Sequence, residues 1–167
     1  MTALALAVRA VISYPARSLF QTSTDKEVPD GTMAYDTPRD HQNEAPDHFI
    51  SVDGEEYAGR HLIIDLHGAS HLNDAERIER AFRDCVEACG ATLLHIHTHV
   101  FTPYGGVSGV AVLAESHISI HTWPERDYAA LDVFMCGAAE PRKAIPILRK
   151  AFSPDRVEVN DLLRGGE

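Results

Sequence analysis

From Arg60 onward the apolar positions fall into short runs of period two, interrupted by two stretches with a helical period. Arg60 to Leu66 is apolar and β-compatible, and ends at Gly68. Asn73 then reads as a helix cap, with Glu76 as its capping-box partner. Ile78, Ala81, Phe82, Cys85, Val86 and Cys89 line one face of that helix, and Gly90 stops it. Thr92 to Val100, Gly109 to Ala114, Ile118 to Thr122 and Ala129 to Met135 supply further strands. Pro141 suits the first turn of a second helix reaching Phe152. Pro146 removes a backbone donor inside it, so a kink or a later start is expected. Arg156 to Val159 is a short closing strand. Helices packed on one face of a mostly antiparallel sheet predict a two-layer α/β sandwich, an α+β fold.

The stretch before Arg60 breaks this rhythm. Met1 to Phe20 carries Arg9, Arg17, several alanines and no acid, in the manner of a targeting peptide, yet no small-residue cleavage pattern follows. Gln21 to Pro46 is polar and proline-bearing. Residues 1–57 are therefore expected to form a disordered N-terminal extension, with Met33 an alternative start, and residues 58–167 one folded domain. A length of 167 residues suits a single core. The apolar fraction of 44% and charged fraction of 24% are those of an ordinary globular protein. A net charge of −10 argues against nucleic acid or an anionic membrane as partner. No apolar run is long enough to span a bilayer. Three cysteines give no disulfide framework; Cys85 and Cys89 pack as small hydrophobes, and a reducing cytoplasm is the expected compartment.

Chemistry concentrates in Ala114-Glu115-Ser116-His117-Ile118-Ser119-Ile120-His121-Thr122-Trp123-Pro124-Glu125. Ile118 and Ile120 alternate with His117, Ser119 and His121, which is the pattern of a half-buried strand bearing more reactive groups than packing requires. Cys136 ends a later apolar run, and Phe101 to Val110 supplies a glycine-rich turn with Ser108. Ser116 and His121 are five positions apart and would point to opposite faces of a regular strand. A bulge or twist between them is therefore expected if they are to meet.

These three segments, in this order, resemble the prokaryotic S-adenosylmethionine decarboxylase proenzymes, a pyruvoyl-dependent family. The likeness runs from about Gly59 to about Val159 and is densest from Phe101 to Cys136. It implies that Ser116 attacks the carbonyl of Glu115, that the resulting ester is eliminated to dehydroalanine, and that hydrolysis leaves a pyruvoyl group. A β chain, 1–115, and an α chain, 116–167, would result. By motif position His121 is the processing base, Ser108 assists processing, and Cys136 is the proton donor in decarboxylation. The pyruvoyl carbonyl would form a Schiff base with the substrate amine and draw electrons from the bond to its carboxylate. A thiol with an ordinary pKa of about 8.5 can return a proton near neutral pH. Phe101 and Trp123 match positions that flank an adenine, and Glu125 a position that binds ribose hydroxyls. The expected product is the decarboxylated aminopropyl donor for spermidine synthesis. The expected assembly is a dimer of α/β heterodimers, a four-layer αββα arrangement.

Two departures bear on the substrate. The turn carries Gly105-Gly106 where some members have one glycine, and Asp127 stands where glycine is frequent. An added acid suits the sulfonium of S-adenosylmethionine, but also the distal cation of arginine or ornithine, which makes a decarboxylase of those amino acids the alternative. Three further readings are weaker. His95, His97 and His99 share one strand face, but neighbours there lie nearly 7 Å apart, too far to converge on one zinc ion, so no metal is expected. Gly106-Val107-Ser108-Gly109-Val110 lacks the glycine placement and strand-to-helix turn of a serine hydrolase's nucleophile elbow. A non-catalytic module would not need Ser116, His121 and Cys136 together.

Overall fold

The computed structural model describes residues 26–27, 33–34 and 48–166. The chain divides into two units, Met1–Ala45 and Pro46–Glu167. In the first, β1 (Lys26–Glu27) pairs antiparallel with β2 (Met33–Ala34). The targeting-like segment Met1 to Phe20 lies outside the described residues.

The second unit opens with a hairpin inside the stretch expected to be a disordered tail. β3 (Ile50–Val52) pairs with β4 (Glu55–Tyr57) across Asp53 and Gly54, whose φ angles are 54° and 87°. An Asp-Gly pair accepts two positive φ values in succession, and the twist of such a turn matches that of the flanking strands. The polar surroundings of residues 21–46 masked that local signal.

β5 (Gly59–His67), α1 (Ala75–Cys89), β6 (Leu93–Val100), β7 (Val107–Leu113), β8 (Ser116–Trp123), β9 (Tyr128–Met135), α2 (Ala144–Phe152) and β10 (Arg156–Arg164) follow. The last six strands form one sheet in the order β10-β5-β9-β8-β7-β6, every neighbouring pair antiparallel. Both helices contribute to the core: Ile78, Phe82 and Cys85 of α1 and Leu148 and Phe152 of α2 are buried with Leu62, Ile64, Ile118, Ile120, Leu131 and Val133 of the sheet. This is the expected two-layer α+β sandwich. Gly109 lets the layers close. A Cβ there would stand 3.1 Å from Thr98 Cγ2, 3.3 Å from Ile120 Cγ2 and 3.4 Å from Phe82 Cε2.

Local details differ from the sequence-based expectations. The cap of α1 is Asp74, not Asn73: Asp74 has extended backbone and its Oδ1 accepts the Arg77 N–H at 2.9 Å. That bond holds the Asp74 carboxyl below its ordinary pKa, against a weaker opposing effect of burial. Glu76 faces Arg80 at 3.5 Å rather than closing a capping box. Pro146 is the third residue of α2, which starts at Ala144 after a 3-10 turn over Pro141–Lys143. The helix begins late, where an N–H would have no partner within it. The closing strand extends to Arg164 because Asp161, a poor strand former, is held between Arg60 Nη1 at 3.0 Å and Arg142 Nη2 at 2.6 Å.

Candidate active site

Alternation along β8 divides its chemistry between the two sheet faces. Ile118, Ile120 and Thr122 are buried toward the helices, and His117, Ser119, His121 and Trp123 lie on the opposite face. The pairing of β8 is unbroken with β7 from Ser116 to His121 and with β9 from His117 to Trp123. The expected bulge between Ser116 and His121 is therefore absent. Five positions at roughly 3.3 Å each put these residues about 16 Å apart along one strand, on opposite faces.

The irregular residue is Glu115. It closes the β7–β8 hairpin with φ of 60°, a left-handed conformation that costs a side-chain-bearing residue about 1–2 kcal/mol. Antiparallel pairing of β8 with β9 sets the start of one against the end of the other, so Ser116 meets Cys136, just past Met135. Ser116 Oγ lies 3.5 Å from Cys136 Sγ and accepts the Cys136 N–H at 3.3 Å. The Cys136 thiol donates to the Glu115 carbonyl oxygen at 3.2 Å. A hydroxyl, the carbonyl preceding it and a thiol donor thus meet at a strained turn.

A second cluster forms at the other end of the same strand. Ser108 and His121 are paired residues of β7 and β8, and Ser108 Oγ lies 2.8 Å from His121 Nδ1. They border a pocket of about 240 Å³ that also touches Phe101, Tyr104, Trp123 and Glu125. The Trp123 ring lies 5.3 Å from that of Tyr128 and 6.4 Å from that of His121, and Phe101 meets His99 edge-on at 4.6 Å. Thr122, buried behind this pocket, donates to Leu72 O and accepts Val107 N–H, each at 2.7 Å. Phe101, Trp123 and Glu125, the residues expected to bind substrate, all share this pocket.

Sequence reading missed several polar contacts. Asp132 Oδ1 lies 3.2 Å from His61 Nε2, and its Oδ2 accepts Ser119 Oγ–H at 3.1 Å, which spreads a polar network over three strands of the sheet. Tyr128 donates to Asp65, and that bond raises its phenol to about 12. His48 reaches Glu115 from outside the sheet, with Nε2 3.3 Å from Oε2. Strand alternation would have placed Asp132 beside Ser119; nothing in the spacing pointed to His48. Among the described residues, no three His, Cys, Asp or Glu side chains converge to hold a metal ion, His95, His97 and His99 included. Burial raises the Cys85 thiol far above its ordinary value and Cys89 to about 11.

Sheet, helices and the serine–thiol turn together define an α+β domain with a reactive centre at the β7–β8 hairpin. A family model described as S-adenosylmethionine decarboxylase matches residues 60–165, and the chain belongs to that family. It is 50% identical over 108 residues to an S-adenosylmethionine decarboxylase proenzyme of Thermomicrobium roseum, covering 64% of this chain and 93% of that protein. Similarity to the proenzyme of the same name from Methanococcus vannielii is 53% identity over 110 residues, covering 64% and 89%. A crystal structure of the adenosylmethionine decarboxylase from Aquifex aeolicus aligns with a TM-score of 0.56 at 33% identity, over 64% of this chain and 90% of that one.

Proposed function

We propose that this chain is a self-cleaving proenzyme whose matured form removes carbon dioxide from S-adenosylmethionine. The observation that carries this reading is the meeting of Ser116 Oγ, the Glu115 carbonyl and the Cys136 thiol at the β7–β8 turn. In the precursor, Ser116 Oγ attacks the carbonyl carbon of Glu115. The Cys136 thiol already donates to the oxygen on which negative charge develops, and such preplaced donors act mainly on the transition state. Cleavage yields residues 1–115 and 116–167. The family implies a pyruvoyl group formed from Ser116, and the surroundings fit it, since the thiol and N–H of Cys136 both face the Ser116 side chain. That group supplies an electron-withdrawing carbonyl to the substrate amine. Cys136 then holds, at Sγ, the proton to be returned to the substrate's α-carbon.

His121 and Ser108 serve the same reaction from a second copy of the chain. At about 16 Å they are too far from their own Ser116 for proton transfer. Among the described residues no helix covers the sheet face that carries them, which presents Trp123, Ile63 and Leu162 at 39%, 37% and 42% exposure. Packing two such faces gives the four-layer αββα dimer of α/β heterodimers, in which the pocket of one copy serves the Glu115–Ser116 turn of the other. Phe101 and Trp123 there flank the adenine, and Glu125 accepts hydrogen bonds from the ribose hydroxyls. Among the described residues no helix is long and apolar enough to cross a membrane.

The test combines electrophoresis with substrate choice. Purified wild-type protein should run as two fragments and release labelled carbon dioxide from S-adenosylmethionine, not from arginine or ornithine. Ser116→Ala should stay in one piece and be inactive. Two fragments from Ser116→Ala would reject the scheme.

A further inference from the structure

We infer that His48, outside the family-matching residues 60–165, is a positioning residue for cleavage of the Glu115–Ser116 bond. The inference rests on the self-cleavage proposed above. His48 touches both walls of the reaction centre. Its carbonyl oxygen accepts the Gly137 N–H at 2.7 Å, and its Nε2 stands 3.3 Å from Glu115 Oε2. A Cβ on Gly137 would come within 3.5 Å of its ring, so the imidazole packs directly over that residue. Gly137 follows Cys136, which supplies the N–H to Ser116 Oγ and the thiol to Glu115 O. His48 therefore spans the gap between the turn that is cut and the turn that activates it. The β3–β4 hairpin joins it to β5 in the core of the sheet, which anchors the strap.

Two effects follow from this geometry. Contact with the Glu115 side chain restrains a residue held at φ of 60°, and so restrains the carbonyl that Ser116 must attack. A cationic or hydrogen-bonding imidazole also offsets the Glu115 carboxylate, whose negative charge otherwise opposes the charge growing on the adjacent carbonyl oxygen. The step assisted is an acyl shift. A bond forms between Ser116 Oγ and the Glu115 carbonyl carbon, and the bond from that carbon to the Ser116 nitrogen breaks. The hydroxyl proton finishes on that nitrogen, and nothing is oxidised or reduced. His48 and Glu115 side chains are 55% and 58% exposed, so solvent weakens the interaction and the effect is modest.

The experiment follows cleavage of the full chain by electrophoresis over time. His48→Ala should slow cleavage by about fivefold, the scale of a half-exposed ion pair, with no change in thermal midpoint. His48→Lys, which sets a cation opposite Glu115, should recover most of the rate. In a Glu115→Ala background, His48→Ala should add no further slowing, because both the charge it offsets and the side chain it holds are gone. An unchanged rate in His48→Ala, beside a wild type that cleaves, would overturn the positioning role alone. Equal slowing in both backgrounds, or no recovery with lysine, would make His48 a packing residue and also overturn it. A wild type that never cleaves would overturn this inference together with the reading beneath it.

Discussion

In the proposed mechanism Cys136 performs two tasks with one atom. Its sulfur donates to the Glu115 carbonyl and lies 3.5 Å from Ser116 Oγ, where the proposed decarboxylation needs a proton. A thiol is a weak hydrogen-bond donor, so the first task is partial, whereas loss of a positioned acid is severe. Cys136→Ala should therefore slow self-cleavage by about tenfold without stopping it, since the Cys136 N–H still reaches Ser116. The same variant should lower kcat by about a hundredfold or more, read as carbon dioxide release from fully cleaved protein. A variant that cleaves and turns over normally would remove Cys136 from both roles. Ser116, Cys136, Ser108 and His121 were legible because their side chains sit in a dense motif. Their division into two clusters was also foreshadowed by the odd spacing of Ser116 and His121. The bulge invoked to reconcile them was the wrong remedy, as the β7–β8 register shows. His48 could not be seen in advance, because it acts across the fold from a segment with no motif of its own.

At the scale of elements, the helical face read from Ile78 to Cys89 is the buried face of α1, residue for residue. Period and apolarity suffice where burial is strong. Boundaries were less legible, because caps and edges are decided by contacts that the chain makes later. Asp74 rather than Asn73 takes the cap once its carboxylate meets the Arg77 N–H, and β10 runs on once Arg60 and Arg142 neutralise Asp161. The β3–β4 hairpin rests on two residues, a signal too short to outweigh the composition of the tail. Phe82 is the strongest test of the α1 seat. It is 1% exposed and lies over Gly109 between the layers. Phe82→Ala should cost about 3–5 kcal/mol in chemical denaturation, with cleavage surviving wherever the fold does. A loss below about 1 kcal/mol would mean that the interface collapses around the cavity.

For the whole molecule, the separation of Ser116 from His121 makes a strong demand on assembly. If each site draws His121 from a second copy, two chains with different defects can complete one site between them. Co-expressed Ser116→Ala and His121→Ala chains should yield cleavage of the His121→Ala chain, although neither variant cleaves alone. Mass spectrometry of the mixture reads this directly, and absence of the fragments would place both halves of the site within one chain. The two-layer architecture was legible from the order of strands and helices, and the uncovered sheet face follows from having helices on only one side.

The strand order carries one more consequence. A cut before Ser116 assigns β5, β6 and β7 to the upstream piece and β8, β9 and β10 to the downstream one. In the sheet, β5 is inserted between β10 and β9, and β7 lies against β8. The products are interdigitated like the teeth of two combs, so severing the backbone frees neither from the other. Maturation thus becomes a permanent chemical change that leaves the architecture standing, and the fragments part only when the whole sheet is dismantled.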